Sequence, residues 1–399
     1  MKPIRSICML AGWLALSGCV TPPSEAHVTP VTLRSPSPAA IDAQVARAMS
    51  ETGARGLAVA VVENGRPTYV KTYGIRNAAG DPLETDTVMY GASLTKAVFA
   101  YTVMQLVDEG VIALDTPIER YLPQPLPAYT GADVEDRYAR WSDLAGDERW
   151  RKITPRTLLT HSAGFSNFYW LNADGKLRIH FEPGARYAYS GDGFILLQFV
   201  LERGLGLDVG TEMQRRVFDR FGMRNTSMIW RPSFAANLAD GWDLQGKVEP
   251  HDERSRVRAA GSMDTTIEDF ARFAGGFIPG DGLSKAARAE ITRAQLTITT
   301  ATQFPTLQPE LPPATRRRDL AAGLGLNTFG GPQGRAFEKG GHNDTTGNTW
   351  VCVEKRRSCV ILLSNDVRAE AAFPDLVRFV LGETGAPWSW HYGPPPSAK

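Results

Sequence analysis

Ser93 and Lys96 stand three residues apart at the head of an apolar run that reaches Asp108 and stops at Gly110. If the run is helical, that spacing stacks both side chains on one face of its first turn. A serine hydroxyl attacks a carbonyl only after a base takes its proton, and a lysine amine serves where burial or a neighbouring charge lowers its pKa. The free N–H groups and partial positive charge of a helix start favour negative charge developing there. The pair therefore has the chemistry of a nucleophile beside a base. The same four residues also read as a serine cap followed by a solvated lysine, so the rest of the chain must decide.

The elements that would position this pair come from both ends of the chain. Residues 39–52 have helical spacing, and 57–62 and 68–73 flank Asn64-Gly65 as a hairpin. Helices are expected at 155–160, 193–202, 211–221 and 266–275, strands at 348–353 and 359–364, and a closing helix at 366–381. The pattern predicts an α+β fold with an antiparallel sheet built from both chain ends, flanked by helices, and an inserted, mostly helical lobe. The polar, Trp-containing segment 124–152 reads as a lid or insertion. If Lys355-Arg356 is a hairpin turn, Cys352 faces Cys359 across two strands, where a disulfide and two buried thiols both fit.

With 399 residues and 44 basic against 43 acidic side chains, the chain has no strong charge bias. Its longest basic runs, Arg316-Arg317-Arg318 and Lys355-Arg356-Arg357, are too short for a nucleic-acid footprint. The first eighteen residues join a basic start (Lys2, Arg5) to an apolar core at 7–16, and Leu16-Ser17-Gly18 then leads into Cys19. They read as a secretory signal too short to span a membrane, and they resemble a bacterial lipoprotein signal in which Cys19 is lipid-modified. That reading gives a signal at 1–18, a Pro-rich tether at 19–38, a catalytic domain at 39–382 and a Trp/Pro-rich tail at 383–399, which is a surface segment or packs Trp388, Trp390 and Tyr392 on the domain or a partner. It places the protein in the bacterial cell envelope, exported and lipid-anchored on a membrane face. The six histidines lack metal-ligand spacing, so His161, His180 and His251 read as structural and no metal or organic cofactor is expected. The glycine-rich stretch 241–247 fails as a phosphate loop at Val248, and no serine sits in G-x-S-x-G.

Further along stand Gly91-Ala92-Ser93-Leu94-Thr95-Lys96, Leu158-Leu159-Thr160-His161-Ser162-Ala163-Gly164, Phe181-Glu182-Pro183-Gly184 with Tyr187-Ala188-Tyr189-Ser190, Ala260-Gly261-Ser262-Met263, and Val360-Ile361-Leu362-Leu363-Ser364-Asn365. In this order they resemble the motifs of the serine β-lactamase and penicillin-binding superfamily. The likeness is to the class C β-lactamase-related branch that also holds D-alanyl carboxypeptidases, D-aminopeptidases and esterases. The resemblance implies a β-lactamase/transpeptidase-like fold and acyl transfer, with Ser93 as nucleophile and Lys96 and Tyr189 moving protons. Where the second motif usually has asparagine this chain has Gly191, with Asp192 beside it as a partial substitute.

The third motif has two registers, Lys339-Gly340-Gly341 and His342-Asn343-Asp344. The second is preferred because Thr346-Gly347 then falls where the family tends to have Thr-Gly. His342 would then supply a polar or cationic group, and the N–H of Thr345 would join that of Ser93 as the oxyanion hole. Asp344 would add negative charge at the rim, favouring an amine-bearing substrate. Glu182 is the other candidate to activate the deacylating water, with Tyr189 preferred. The expected function is an exported serine hydrolase acting on an ester, β-lactam or D-amino-acid amide or peptide from a small-molecule or peptidoglycan source. The alternative is a membrane-tethered penicillin- or peptidoglycan-binding module with little turnover. The sequence specifies no oligomeric state.

Overall fold

The computed structural model describes residues 35–392. The signal, Cys19 and most of the tether expected from the sequence lie outside the described residues. The first helix, α1 (Pro38–Thr52), begins where the Ser37 side chain accepts from the Ala40 amide and ends where Gly53 turns left-handed at φ 69°. Strands β1 (Gly56–Glu63) and β2 (Arg66–Gly74) then form the expected hairpin.

Six more strands complete one antiparallel sheet: β3 (Leu296–Thr297), β4 (Ala321–Ala322), β5 (Asn327–Gly331), β6 (Gly334–His342), β7 (Gly347–Val353) and β8 (Ser358–Ser364). Their spatial order is β2-β1-β8-β7-β6-β5-β4-β3, so the chain's two ends meet where β1 pairs β8. Across β7 and β8 Cys352 faces Cys359 directly and the structure joins them in a disulfide.

Both sheet faces are covered, which explains the unbroken apolar run of β1. Ala58, Ala60, Trp350, Ile361 and Leu363 pack towards the helix α2 (Leu94–Asp108) and the later helix Ile267–Phe277. Leu57, Val59, Val351, Val360 and Leu362 pack towards α1 and the closing helix Phe373–Leu381. This is an α+β fold of the β-lactamase/transpeptidase type.

Two readings that the sequence left open are narrowed. Residues 124–152 are not a free lid: Tyr138, Trp141 and Trp150 are buried in the core, the first two with ring centroids 5.0 and 5.5 Å from Phe199. Nor is the whole tail a surface segment, because the helix Trp388–Tyr392 seats Trp390 at 5% exposure, its indole N–H 3.2 Å from Thr300 Oγ1. Among the described residues no helix is long and apolar enough to cross a membrane.

One detail of pairing positions the site. β5 pairs β6 only as far as Asn327 with Glu338. From Lys339 to His342, β6 has β7 on one side, while its other edge faces the start of α2.

Candidate active site

Ser93 immediately precedes the first turn of α2. Ala92, just before it, holds φ 46°, a left-handed conformation that an alanine adopts only under constraint. The Thr95 hydroxyl donates to Ala92 O at 2.5 Å and accepts from the Met263 amide at 3.2 Å, which ties this bend to the segment after Ala260.

Lys96 is 1% exposed, and its ammonium donates to Ser93 Oγ at 3.1 Å and to Ala260 O at 2.5 Å. Burial lowers its pKa, and nearby Lys339 adds to the fall while Tyr189 opposes it. The spacing of three thus places both groups on one turn, as the helix geometry requires.

Tyr189 arrives from a segment distant in sequence, with its hydroxyl 2.8 Å from Ser93 Oγ. His161 fixes it: the imidazole stacks on the phenol at 4.3 Å, and its Nδ1 accepts from the Ser190 amide at 3.0 Å. Burial, with Lys339 and Lys96 nearby, holds the His161 pKa well below its ordinary value, so the ring is neutral.

Burial alone pushes the Tyr189 phenol up, but Lys339, Lys96 and the bond to Ser93 outweigh it and bring the pKa down to about 7. Lys339 Nζ lies 3.5 Å from the phenol oxygen.

That position corrects the preferred register of the third motif. Lys339, not His342, brings its cation to the reacting groups. The His342 imidazole turns to both Glu370 oxygens at 3.0 Å and is half exposed at the rim, and the bond to Glu370 raises its pKa. The Thr345 amide is already engaged by Asn343 Oδ1 at 3.1 Å, and its side chain packs on Gly241, so it does not face Ser93. Gly341 does: a Cβ there would lie 3.2 Å from the amide nitrogens of Ser93 and Leu94. Asn343 and His342 line the cavity above Ser93; Asp344 and Thr345 do not.

Gly191 is explained by its neighbour. A Cβ there would come within 2.2 Å of the Phe168 ring, and the Gly191 amide donates to the Asn167 side chain at 3.1 Å. Asp192 does not substitute for a substrate-binding amide, because it is buried with Oδ2 on the Tyr169 amide at 2.6 Å, where burial pushes its pKa up to about 8. Glu182 does not line the cavity and stands in an exposed pair with Lys152 at 2.8 Å.

These groups share a cavity of about 880 Å³. Ser93, Lys96, Tyr189 and Lys339 line it together with Asn167, Phe168, Trp170, Phe304 and a row of arginines at 254, 256 and 258. His391 contributes from the tail: a Cβ on Gly340 would meet its Nε2 at 2.4 Å, and its Nδ1 lies 3.2 Å from Glu338 Oε1. Sequence reasoning missed all but the first four. The Phe168-Trp170 pair and the alternating arginines were visible signals, whereas nothing local ties His391 to Gly340. Among the described residues no group of three or more His, Cys, Asp or Glu is arranged to hold a metal ion.

Comparison with known proteins fits this geometry. The chain is 28% identical over 220 residues to the esterase EstB of Burkholderia gladioli, covering 48% of this chain and 51% of that protein. It is 27% identical over 202 residues to the lovastatin esterase of Penicillium rubens, covering 44% and 49%. The chain thus spans about half the length of these curated relatives. Among solved structures, the D-alanine carboxypeptidase AmpC of Burkholderia cenocepacia superposes with a TM-score of 0.65 at 20% identity, covering 86% of this chain and 97% of that one. The Beta-lactamase family profile matches residues 41–381, which takes in the sheet, the inserted lobe and each reacting group, and the chain belongs to that family.

Proposed function

We propose that the protein is a serine hydrolase that forms an acyl-enzyme on Ser93, with a small ester as its readiest substrate and β-lactams or D-amino-acid amides as more demanding ones. The observation that carries this reading is the meeting of Ser93 Oγ with the Tyr189 hydroxyl at 2.8 Å and Lys96 Nζ at 3.1 Å beside a cavity. With its pKa near 7, the Tyr189 phenolate takes the Ser93 proton as Oγ bonds to the substrate carbonyl carbon. Collapse expels the leaving group, which takes that proton from Tyr189. Water then attacks the acyl carbon and gives a proton to the phenolate, and as the Oγ–carbon bond breaks Tyr189 passes that proton to Ser93 Oγ, which restores the starting state. Lys96 and Lys339 hold the phenolate by charge throughout.

The oxyanion donors are the Ser93 amide and the amide of His342, which follows the Gly341 main chain that backs on Ser93. Two such donors stabilise the transition state by roughly 3 kcal/mol each. The esterase names of two relatives and the closed space at Gly191 both favour esters over amides. Turnover of p-nitrophenyl acetate by wild type and by Ser93→Ala tests this, and equal rates would remove Ser93 from the reaction.

Export and anchoring at Cys19 belong to the same proposal, and the Cys352–Cys359 pairing suits an oxidising compartment. Cys19→Ala should then move the protein from the membrane fraction to the soluble one.

A further inference from the structure

The segment that delivers Ala260 to Lys96 carries Arg254, Arg256 and Arg258 at alternate positions, and all three line the cavity beside Ser93. Arg254 is already compensated: it contacts Asp264 at 3.1 Å and Asp252 at 3.5 Å and lies over the Tyr90 ring at 3.6 Å. Arg256 and Arg258 are different. Both donate to one main-chain carbonyl, that of Asp136, at 2.9 and 3.1 Å, which brings two guanidiniums together. Among the described residues neither forms an ion pair within 4.0 Å.

On its other side Arg256 shares a second cavity with Asp133, which pairs with Arg203, and with Asp136, Asp208 and Asp219, none within ion-pair distance of it. Asp252 is mostly exposed and turned to Arg254, Glu253 is exposed, and Asp192 beneath is largely protonated at neutral pH because burial raises its pKa. Arg258 is half-buried over Trp170 at 5.8 Å, and Trp170 is stacked on Phe168 at 4.4 Å, so the cations sit at the end of an aromatic ramp. Two adjacent cations, one partly desolvated, call for a bound anion.

We propose that this wall is a carboxylate subsite, so that the preferred substrate carries a carboxylate on the arm reaching Arg256 and Arg258. The proposal names a substrate class for the Ser93 chemistry above and rests on that reading. It is opposite in sign to the amine preference expected from Asp344, which does not line the cavity.

Two matched ester pairs test it. Mono-p-nitrophenyl adipate against p-nitrophenyl hexanoate places the charge on the acyl arm, and 3-acetoxybenzoate against phenyl acetate places it on the alcohol arm. In wild type one charged ester should lead its neutral partner in kcat/KM by about tenfold or more, with the lead shrinking as salt rises. In Arg256→Gln/Arg258→Gln the ratio should fall to near one, and Arg256→Gln alone, at an exposed position, should lower it part of the way.

Calorimetric titration of adipate and of benzoate into Ser93→Ala gives a readout free of turnover. Binding of one of them should be present there and lost when both arginines are replaced. Equal rates within both pairs, or binding indifferent to both arginines, would overturn the subsite whatever Ser93 does. Arginine-dependent binding without Ser93-dependent turnover would instead keep the subsite and remove the acyl-enzyme.

Discussion

Lys339 Nζ stands 3.5 Å from the Tyr189 hydroxyl, although the two residues are 150 apart in sequence. A second ammonium, Lys96, lies on the other reacting group, so the phenol is held between two cations that favour its ionised form. With a pKa of about 7 and the phenolate as base, kcat/KM should rise with pH about tenfold per unit up to about 7 and then level off. Lys339→Gln removes one cation, so the phenol pKa rises and the limb of the profile moves to higher pH. Absorbance titration of tyrosinate should shift in the same direction, and a profile unchanged by Lys339→Gln would contradict the assignment.

Gly191 is a packing requirement. Gly191→Asn, which restores the side chain usual in the family, drives its Cβ into the Phe168 ring and should destabilise the fold by about 1–3 kcal/mol. Phe168→Ala in the same chain should recover part of that loss. Thermal unfolding of the two single variants and the double variant measures the coupling, and strictly additive effects would show that the ring is not the obstacle.

Asp192 predicts a stability trend. Its folded pKa of about 8 lies above the ordinary value of 3.8, so the folded state binds a proton that the unfolded state has released between those pH values. Its contribution is therefore full below about pH 4 and is lost as pH rises through about 8. Asp192→Asn should flatten that part of the stability curve, read as chemical denaturation midpoints across the range. An equally steep loss in the variant would place the titration elsewhere.

The tail is part of the site's wall. Trp390→Ala empties a buried position beside Tyr187 and should cost about 3–5 kcal/mol. His391→Ala, which removes the imidazole over Gly340, should change KM for esters more than it changes stability. Parallel measurement of melting and kinetics separates the two, and an unaltered KM would make His391 a packing residue only.

What could be read from the sequence follows how local the physics is. Ser93 and Lys96 share a helical turn, so their meeting follows from spacing. Tyr189 was found by family likeness, yet its hold by His161 follows from an amide bond at Ser190 that no pattern announces. Strands β1, β7 and β8 were legible because they carry runs of β-branched and apolar residues, whereas β5 and β6 are glycine-rich and short of β-branched residues. The third motif was misread for the same reason. Lys339 and His342 differ in role only because β5 stops pairing at Glu338 and leaves the next four residues beside α2, which is a fact of pairing and not of composition.

The most direct test of the central claim is intact mass and peptide mapping of protein quenched during turnover of a p-nitrophenyl ester. The account predicts one added acyl group on the peptide carrying Ser93, absent in Ser93→Ala and forming far more slowly in Tyr189→Phe, which lacks the base for acylation. Ester turnover with no adduct on Ser93, or an adduct on another residue that survives Ser93→Ala, would contradict it.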